Sequence, residues 1–293
     1  MEYLMTYGWA ILIIAVVLGA LFQLGVFNAS IFAPRAPPGA CQVLRPNGPG
    51  TSTLINLEGV CSGELPQYSA SFNGTSSQYI YASGNLGLGG LNSFAVSFWE
   101  YPQSHGSGNN LRVFSVDVPY SGGDNLDDAI WVQSEVSYDI CYGYKDSSGA
   151  YDQPCPDAGG LPLNSWTFLS LVKTPTNWIL YVNGVQVNSA IYSNSLASGT
   201  TTLLLGALDY VGGRNFFGSQ YMADFQVYNT SLSANEIAAL YLEGIGGAPI
   251  KLQNLVGWWP LNGNANDYSG NNDNGAPNGV TYTNQWTSGY TAP

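Results

Sequence analysis

The chain has 293 residues, of which 9% are charged, and its formal net charge is −12. Globular proteins usually have about 25% charged residues, so we expect a surface made largely of Asn, Ser, Thr, Gly and Tyr. Only 7 basic residues stand against 19 acidic ones, which argues against nucleic acid and anionic lipid headgroups as partners. Aromatic residues make up 13% of the chain, a content that excludes a largely disordered protein.

The first 33 residues predict one long hydrophobic α-helix. Residues 4–27 contain neither a charge nor a proline, and no basic residue precedes Arg35. A helix of about 24 residues rises about 36 Å, enough to cross a bilayer with some tilt. Ala15 and Gly19 form a small-xxx-small pair that lets two helices approach closely. A helix that is apolar all round has to be covered by lipid or by other helices.

A short proline-rich linker, residues 34–40, follows the helix. Its three prolines cannot continue a helical hydrogen-bond ladder and make a stiff spacer. Residues 41–293 then show short strands separated by turns, which predicts an all-β domain over this range.

Strand and turn signals predict a two-sheet sandwich. Phe94, Val96 and Phe98 alternate on one face of a strand, and residues 178–187 predict a hairpin with Asn-Gly as its two-residue turn. Residues 233–236 match a capping box, which predicts one short helix among the strands. The other predicted strands span residues 67–72, 78–81, 111–118, 129–136, 166–173, 201–205, 222–228 and 256–261.

The four cysteines, Cys41, Cys61, Cys141 and Cys155, predict disulfides. None belongs to a C-x-x-C pair, and His105 is distant in sequence, so a zinc site is not expected. Two disulfides would place the domain in an oxidising compartment. Of the three possible pairings we favour the local one, Cys41 with Cys61 and Cys141 with Cys155; four buried free thiols are the alternative.

Residues 67–243 resemble a laminin-G/concanavalin A-like domain in the order and spacing of several segments. These are SFNG at 71–74 with YI at 79–80, FAVSFW at 94–99, WTF at 166–168 with LYVNG at 180–184, and ADFQVYN at 223–229 with LSANEI at 232–237. The resemblance implies a two-sheet jelly roll.

The tail, residues 255–293, is out of order for that family. Residues 257–270, GWWPLNGNANDYSG, resemble the opening of such a domain, yet they follow its close. The first and last strands of this fold usually lie side by side, so we expect the tail to complete its own sandwich in permuted order. Donation of a strand to a neighbouring subunit and a loose appendage are the alternatives.

The opening helix resembles the N-terminal segment of archaeal type IV pilins. The resemblance is in EYL at 2–4, YGWA at 7–10 and the uncharged run to Phe27. It implies a helix that first lies in the cytoplasmic membrane and then packs with identical helices as a filament core, after removal of a basic leader. The early Glu of that family pairs with a neighbour's terminal amine, although Glu2 lies nearer the start than usual. The predicted assembly residues are Glu2, Tyr3, Tyr7, Ala15 and Gly19.

No enzyme activity is predicted. Glycoside hydrolases of this fold have alternating acids of the E-x-D-x-x-E type on one strand, and they need two carboxylates about 5–10 Å apart. The chain has no such motif: Glu135 and Asp139 have another spacing, and Glu100 and Asp224 stand alone. A nucleophilic triad would require His105, which lies in a polar loop.

Calcium is the one cofactor that the sequence suggests. Asp124, Asp127 and Asp128 lie close together after two glycines, and calcium prefers oxygen ligands of such loops. A turn whose Asx side chains bond their own backbone is the alternative. The run at residues 262–267 is a weaker candidate.

The sequence predicts glycans in two roles, as modifications attached to the chain and as ligands bound by it. Sequons begin at Asn28, Asn73 and Asn229 and allow glycosylation. The candidate sugar-contacting aromatics are Trp131, Tyr144, Tyr210 and Trp286. Abundant Tyr could equally form subunit contacts.

Together these patterns predict a structural subunit of an archaeal type IV pilus-like extracellular filament. Its helices would bundle as the filament core, and its lectin-like domains would form an outer, adhesive surface. The partners would be identical subunits, the cytoplasmic membrane before assembly, and glycans or cell surfaces. The alternative is a membrane-anchored, monomeric carbohydrate-binding surface protein.

Overall fold

The computed structural model divides the chain into two compact units, Met1–Gly39 and Ala40–Pro293. It describes residues 13–18, 41–44, 54–57, 66–74, 77–104, 111–117, 128–134, 140–148, 151–152, 161–210, 213–215, 217–284, 287, 290 and 293.

In the first unit, residues 13–18 form a helix, α1. Its large side chains are exposed: 58% for Ile13 and 63% for Val16. The rest of the predicted helix, with Glu2, Tyr3, Tyr7 and Gly19, lies outside the described residues. Within the ranges given above, no helix has both the length and the apolarity to span a membrane.

The second unit consists mainly of β-strands, with one helix, α2 (Ala234–Glu243), and a 3₁₀ turn (Leu252–Asn254). The strands in chain order are β1 (Cys41–Leu44), β2 (Leu54–Leu57), β3 (Ser69–Asn73), β4 (Tyr79–Ala82), β5 (Phe94–Pro102), β6 (Leu111–Asp117), β7 (Asp128–Ser134), β8 (Ile140–Lys145), β9 (Tyr151–Asp152), β10 (Thr167–Lys173), β11 (Asn177–Val182), β12 (Val185–Ile191), β13 (Thr202–Leu205), β14 (Leu208–Tyr210), β15 (Gly213–Asn215), β16 (Ser219–Tyr228), β17 (Leu255–Trp259), β18 (Gly275–Asn278) and β19 (Thr281–Thr283).

Two large antiparallel sheets form the sandwich. The eight-stranded sheet has the order β12-β11-β10-β5-β16-β3-β19, and β17 also pairs with β16. The seven-stranded sheet has the order β18-β4-β13-β6-β7-β8-β9. β1 pairs with β2, and β14 pairs with β15, as separate two-stranded ribbons. The two-sheet β-sandwich predicted from the sequence is therefore confirmed.

The main hydrophobic core lies between the inner faces of the two sheets. Phe94, Val96 and Phe98 of β5 all belong to it, as their alternation predicts. The Phe98 ring lies 5.4 Å from the ring of Phe114 on the opposite sheet and 5.3 Å from that of Phe225 on a neighbouring strand. These close aromatic contacts join the two layers.

A second hydrophobic cluster covers the other face of the eight-stranded sheet, and we call it the outer layer. The Tyr241 ring of α2 stacks on Trp99 at 5.8 Å and lies 6.0 Å from Phe168. Because both faces of the sheet are covered here, β5 is buried along its whole length.

The tail pairs with strands of its own chain at three places. β17 pairs with β16, β18 pairs with β4 at an edge of the seven-stranded sheet, and β19 pairs with β3 at an edge of the eight-stranded sheet. The tail therefore contributes strands to both layers of the sandwich.

The β11–β12 hairpin has the turn that its sequence predicts. Asn183 and Gly184 both have positive φ, 49° and 76°, as a type I′ turn requires of its two central residues. The Asn183 side chain also accepts a hydrogen bond of 3.0 Å from the Phe168 N–H.

The capping box predicted for α2 is also present. The Ser233 N–H donates to Glu236 Oε2 at 2.8 Å, and the Ser233 side chain accepts from the Glu236 N–H. We expect Ser233→Ala to lower the free energy of unfolding by about 1 kcal/mol, because the first turn loses an acceptor. Urea unfolding measures this. Ser233→Asp retains an acceptor and should stay close to the wild type; equal losses in both variants would contradict the assignment.

Candidate functional site

Two tyrosines of β4 lie on the outer face of the seven-stranded sheet. Ile80 and Ala82 of this strand are buried towards the core, whereas Tyr79 and Tyr81 alternate with them and are half-buried. The Arg214 guanidinium carbon lies 4.0 Å from the Tyr79 ring centroid and 4.5 Å from that of Tyr81. We call these three side chains the tyrosine–arginine surface.

Local pairing explains how this surface is assembled. Tyr81 lies opposite Leu204 of β13 on one side and Ala276 of β18 on the other. Leu204 is fully buried, but Ala276 is small and exposed. Arg214 comes from the short β15 strand, which pairs with β14. The surface thus combines residues of a sheet strand and of a ribbon distant from it in sequence.

The chemistry of the tyrosine–arginine surface suits a polar ligand. Stacking on aromatic rings orients the guanidinium plane, and the N–H donors of Arg lie in that plane, in a fork that matches paired oxygen acceptors. The hydroxyls of Tyr79 and Tyr81 have no hydrogen-bond partner in the described part of the chain. Such an arrangement can bind vicinal hydroxyls or a carboxylate.

Glu100 is a buried acid on the inner face of the eight-stranded sheet. Its cross-strand neighbours are Thr167 and Met222, and it is 1% exposed. Its Oε2 atom has no hydrogen-bond partner among the described residues. Burial raises the pKa of Glu100 from 4.5 to about 8, so the carboxyl is mainly protonated at neutral pH.

Asp224 is a second buried acid, in an irregular part of β16 where its φ is 52°. Its two carboxylate oxygens accept hydrogen bonds of 2.8 Å from Trp258 Nε1 and Gln226 Nε2. Burial raises the pKa of Asp224 to about 7, although both hydrogen bonds favour the ionised form.

These two acids do not form the carboxylate pair of a glycoside hydrolase. Glu100 shares the inner face with Met222 of the main core, whereas Trp258, the partner of Asp224, belongs to the outer layer. The sheet separates the two groups, so they cannot flank one glycosidic bond.

Asp267 organises the loop that follows β17. One carboxylate oxygen accepts from the Trp258 N–H at 3.0 Å and the Ser269 N–H at 2.8 Å. The other accepts from Ser269 Oγ at 2.8 Å and the Asp273 N–H at 3.0 Å. In the same run, Asn264 accepts from the N–H of Asn266 at 2.9 Å, as in an Asx turn. The weaker calcium candidate of residues 262–267 thus uses these side chains for turns.

Asp146, directly after β8, is another buried acid, and sequence reasoning did not single it out. Its oxygens accept from the Ser148 N–H at 2.8 Å, Asn194 Nδ2 at 2.6 Å and the Tyr192 hydroxyl. Burial by itself would raise the pKa of Asp146, but these hydrogen bonds lower it below its usual value. No sequence motif joins residues so far apart.

The sugar-contacting aromatics predicted from the sequence are not in the tyrosine–arginine surface. Trp131, Tyr144 and Tyr210 belong to β7, β8 and β14, where the structure describes their backbone. Trp286 lies outside the described residues. Tyr79 and Tyr81 alternate with Ile80 in the predicted strand 78–81, and this pattern could have indicated them, but no local signal indicated Arg214.

The predicted calcium site stays a prediction. Asp124 and Asp127 lie outside the described residues, and Asp128 begins β7, opposite Asp117. Within the described ranges, no group of three or more His, Cys, Asp or Glu could hold a metal ion.

The remaining predicted residues are partly described. Cys141 is disulfide-bonded and fully buried, and Cys41 begins β1; Cys61 and Cys155 lie outside the described residues, so the pairing stays a prediction. The sequon residues Asn73 and Asn229 are exposed. Four more residues named in the sequence analysis, Asn28, His105, Glu135 and Asp139, also lie outside the described ranges.

The fold and the family agree on one class, a lectin-like β-sandwich. The model of the concanavalin A-like lectin/glucanases superfamily, of the laminin G type, matches residues 73–238, more than half of the chain. The chain therefore belongs to this superfamily, and the predicted resemblance is confirmed for the β domain.

Solved structures show the same fold at low sequence identity. A heptameric SAP-like pentraxin from Limulus polyphemus is 16% identical, with a TM-score of 0.52, over 75% of this chain and 95% of the pentraxin. A candidate carbohydrate-binding protein from Bacteroides ovatus is 14% identical, with a TM-score of 0.55, over 74% of this chain and 60% of that protein. These identities support the fold alone. No curated protein matches the sequence significantly.

Proposed function

We propose that the chain is a carbohydrate-binding, lectin-like protein whose tyrosine–arginine surface contacts the glycan. The observation behind this proposal is the Arg214 guanidinium, which lies over two half-buried tyrosines on the outer face of the seven-stranded sheet. Aromatic rings offer apolar contact area and the guanidinium offers directional donors, the combination that polar small-molecule sites use. Membership in the lectin-like superfamily supports the same proposal.

Arg214→Ala is expected to weaken glycan binding at least about 10-fold, because the site loses both its cation and its bidentate donor. A glycan array would identify ligands of the full chain in a detergent without a sugar headgroup, and titration of the best ligand would follow. Arg214→Lys keeps the charge but not the planar fork and should retain only part of the affinity.

Lys251→Ala is the matched control. It removes the same charge, from a lysine that pairs with Glu236 at 2.8 Å in another part of the sandwich. Binding should survive in this variant. An equal loss of glycan affinity in the Arg214 and Lys251 variants would mean that net charge alone causes the effect. An unchanged affinity in Arg214→Ala would contradict the proposed surface.

A second proposal concerns assembly: the chain is a subunit of an archaeal type IV pilus-like filament, with its lectin-like domains outside. Residues 13–18 are helical, and Ile13, Val16 and Val17 are at least half exposed there. Apolar side chains on such a helix require lipid or other helices around them. The pilin-like pattern of Glu2, Tyr3, Tyr7, Ala15 and Gly19 supports identical helices as the final partner.

Electron microscopy of the cell surface and of purified material tests the assembly proposal. We expect extracellular filaments whose reconstruction has a core of bundled N-terminal helices and an outer layer of sandwiches. A protein that purifies as a detergent-soluble monomer and forms no filaments on cells would instead support the membrane-anchored alternative.

A further inference from the structure

Three aromatic rings of the outer layer lie in a row across the outer face of the eight-stranded sheet. Trp166 and Tyr101 have ring centroids 5.6 Å apart, and Tyr101 and Tyr221 are 5.1 Å apart with an interplanar angle of 26°. Tyr221 lies directly opposite Tyr101 in the β16–β5 pairing. Tyr101 and Trp166 are buried, whereas Tyr221 is half-buried.

The row of rings ends at Tyr221 because the next two strands contribute small side chains. Ser71 of β3 lies opposite Tyr221, and Thr281 of β19 lies opposite Ser71. Ser71 is half-buried and Thr281 is exposed. In the described part of the chain, no ring covers the side of Tyr221 that faces away from Tyr101. We call this place beside Tyr221, over Ser71 and Thr281, the ring slot.

Polar groups without partners surround the ring slot. The hydroxyls of Tyr221, Ser71 and Thr281 have no hydrogen-bond partner among the described residues. None of these three hydroxyls is a buried atom without a partner, so each can exchange hydrogen bonds with a polar ligand.

The residues of the ring slot also define the chemistry of its ligand. None of the side chains at the slot is charged, which favours a neutral ligand. One flat face of the ligand must pack on the Tyr221 ring, and polar groups around the edge of the ligand must hydrogen-bond to the hydroxyls of the slot. A pyranose ring fits both demands, since its C–H groups pack on the π face while its hydroxyls form the rim. A purely aromatic ligand would leave the hydroxyls unpartnered.

We propose that the ring slot binds the pyranose ring of a neutral sugar. This second site lies on the sheet opposite to the one that holds the tyrosine–arginine surface, and the two share no residue. It therefore does not depend on the function proposed above. With both sites occupied, one chain would contact two glycans from opposite faces of the sandwich.

Saturation-transfer NMR on the full chain, in detergent without a sugar headgroup, tests the proposal. The probes are methyl β-D-galactopyranoside, methyl β-D-glucopyranoside and p-cresol. We expect transfer to at least one glycoside, strongest at the protons of one ring face. Tyr221→Ala should reduce this affinity at least about 10-fold, and Tyr221→Phe, which keeps the ring, should retain most of it.

Two comparisons separate sugar binding at the ring slot from binding at the other sheet and from general affinity for aromatic compounds. Arg214→Ala should leave this binding unchanged, since Arg214 belongs to the other sheet; loss in Arg214→Ala with no loss in Tyr221→Ala would overturn the proposal. So would tighter binding of p-cresol than of any glycoside, or the absence of transfer to all three probes. If Tyr221→Ala does not fold, Tyr221→Trp becomes the deciding variant. It should retain binding only if stacking of the ring on the sugar causes the binding.

Discussion

Glu100→Met is expected to make the protein more stable than the wild type at pH 8. Between pH 5 and pH 8, the free energy of unfolding should also fall less steeply in this variant than in the wild type. Methionine is apolar, and it replaces a carboxyl whose neighbours are Thr167 and Met222 in the sandwich interior. Burying an ionised carboxylate without a partner is costly, and Glu100 Oε2 has none within the described ranges.

The direction of this effect follows from the pKa of Glu100, which burial raises from 4.5 to about 8. The folded state holds the proton more tightly than the unfolded state. The stabilisation is therefore complete below pH 4.5, falls as the pH rises, and is lost above about pH 8. Each pKa unit corresponds to about 1.4 kcal/mol, so the loss is on the order of 3–5 kcal/mol. Asp224, with its pKa raised to about 7, adds a loss of the same sign.

Urea unfolding at a series of pH values between 4 and 9 measures this dependence on the full chain with its disulfides intact. Glu100→Gln serves as a near-isosteric control, which should flatten the curve even if its amide lowers stability at every pH. If the wild type and both variants lose stability with the same slope, Glu100 is not a buried, protonated acid.

Asp267→Ala should have the largest destabilising effect in the tail, at least about 3 kcal/mol. The substitution removes the acceptor of the buried Trp258 and Asp273 N–H groups and of both donors of Ser269. A buried donor left without a partner costs about 1–3 kcal/mol. Because Asp273 in turn accepts from the Gly84 N–H at 2.6 Å, the loss should spread to the contact between the tail and the β4 region.

Hydrogen exchange and urea unfolding together measure this effect. Amides of β18 and β19 should exchange faster in Asp267→Ala, while those of β10 and β11 change less. Asp267→Asn keeps one acceptor oxygen and should be intermediate, and Asn266→Ala, at an exposed neighbour, should stay close to the wild type. A tail that exchanges as slowly in Asp267→Ala as in the wild type would mean that its strands do not depend on Asp267.

Features that depend on neighbouring residues were predictable from the sequence. The Ser233–Glu236 capping box, the Asn183–Gly184 turn and the inward alternation of Phe94, Val96 and Phe98 all follow from short-range chemistry, and all are present. The same alternation also assigns Glu100 to the inner face, so its unusual position could have been inferred from its place two residues after Phe98.

Features that depend on distant residues were not predictable. Strand periodicity indicates one buried face for β5, yet its other face is also buried because α2 packs over Trp99. Arg214 reaches Tyr79 and Tyr81 across more than a hundred residues of sequence. Asp267 belongs to a run that is a weak metal-site candidate because its spacing also suits turns, and only its contacts with backbone N–H groups show the turn.

An experimental structure of the full chain with its best array glycan tests the central proposal most directly. We predict a sugar on the outer face of the seven-stranded sheet, with a hydroxyl or carboxylate oxygen within hydrogen-bond distance of the Arg214 guanidinium and a ring edge beside Tyr81. A well-ordered glycan bound elsewhere, with Arg214 and both tyrosines untouched, would contradict it.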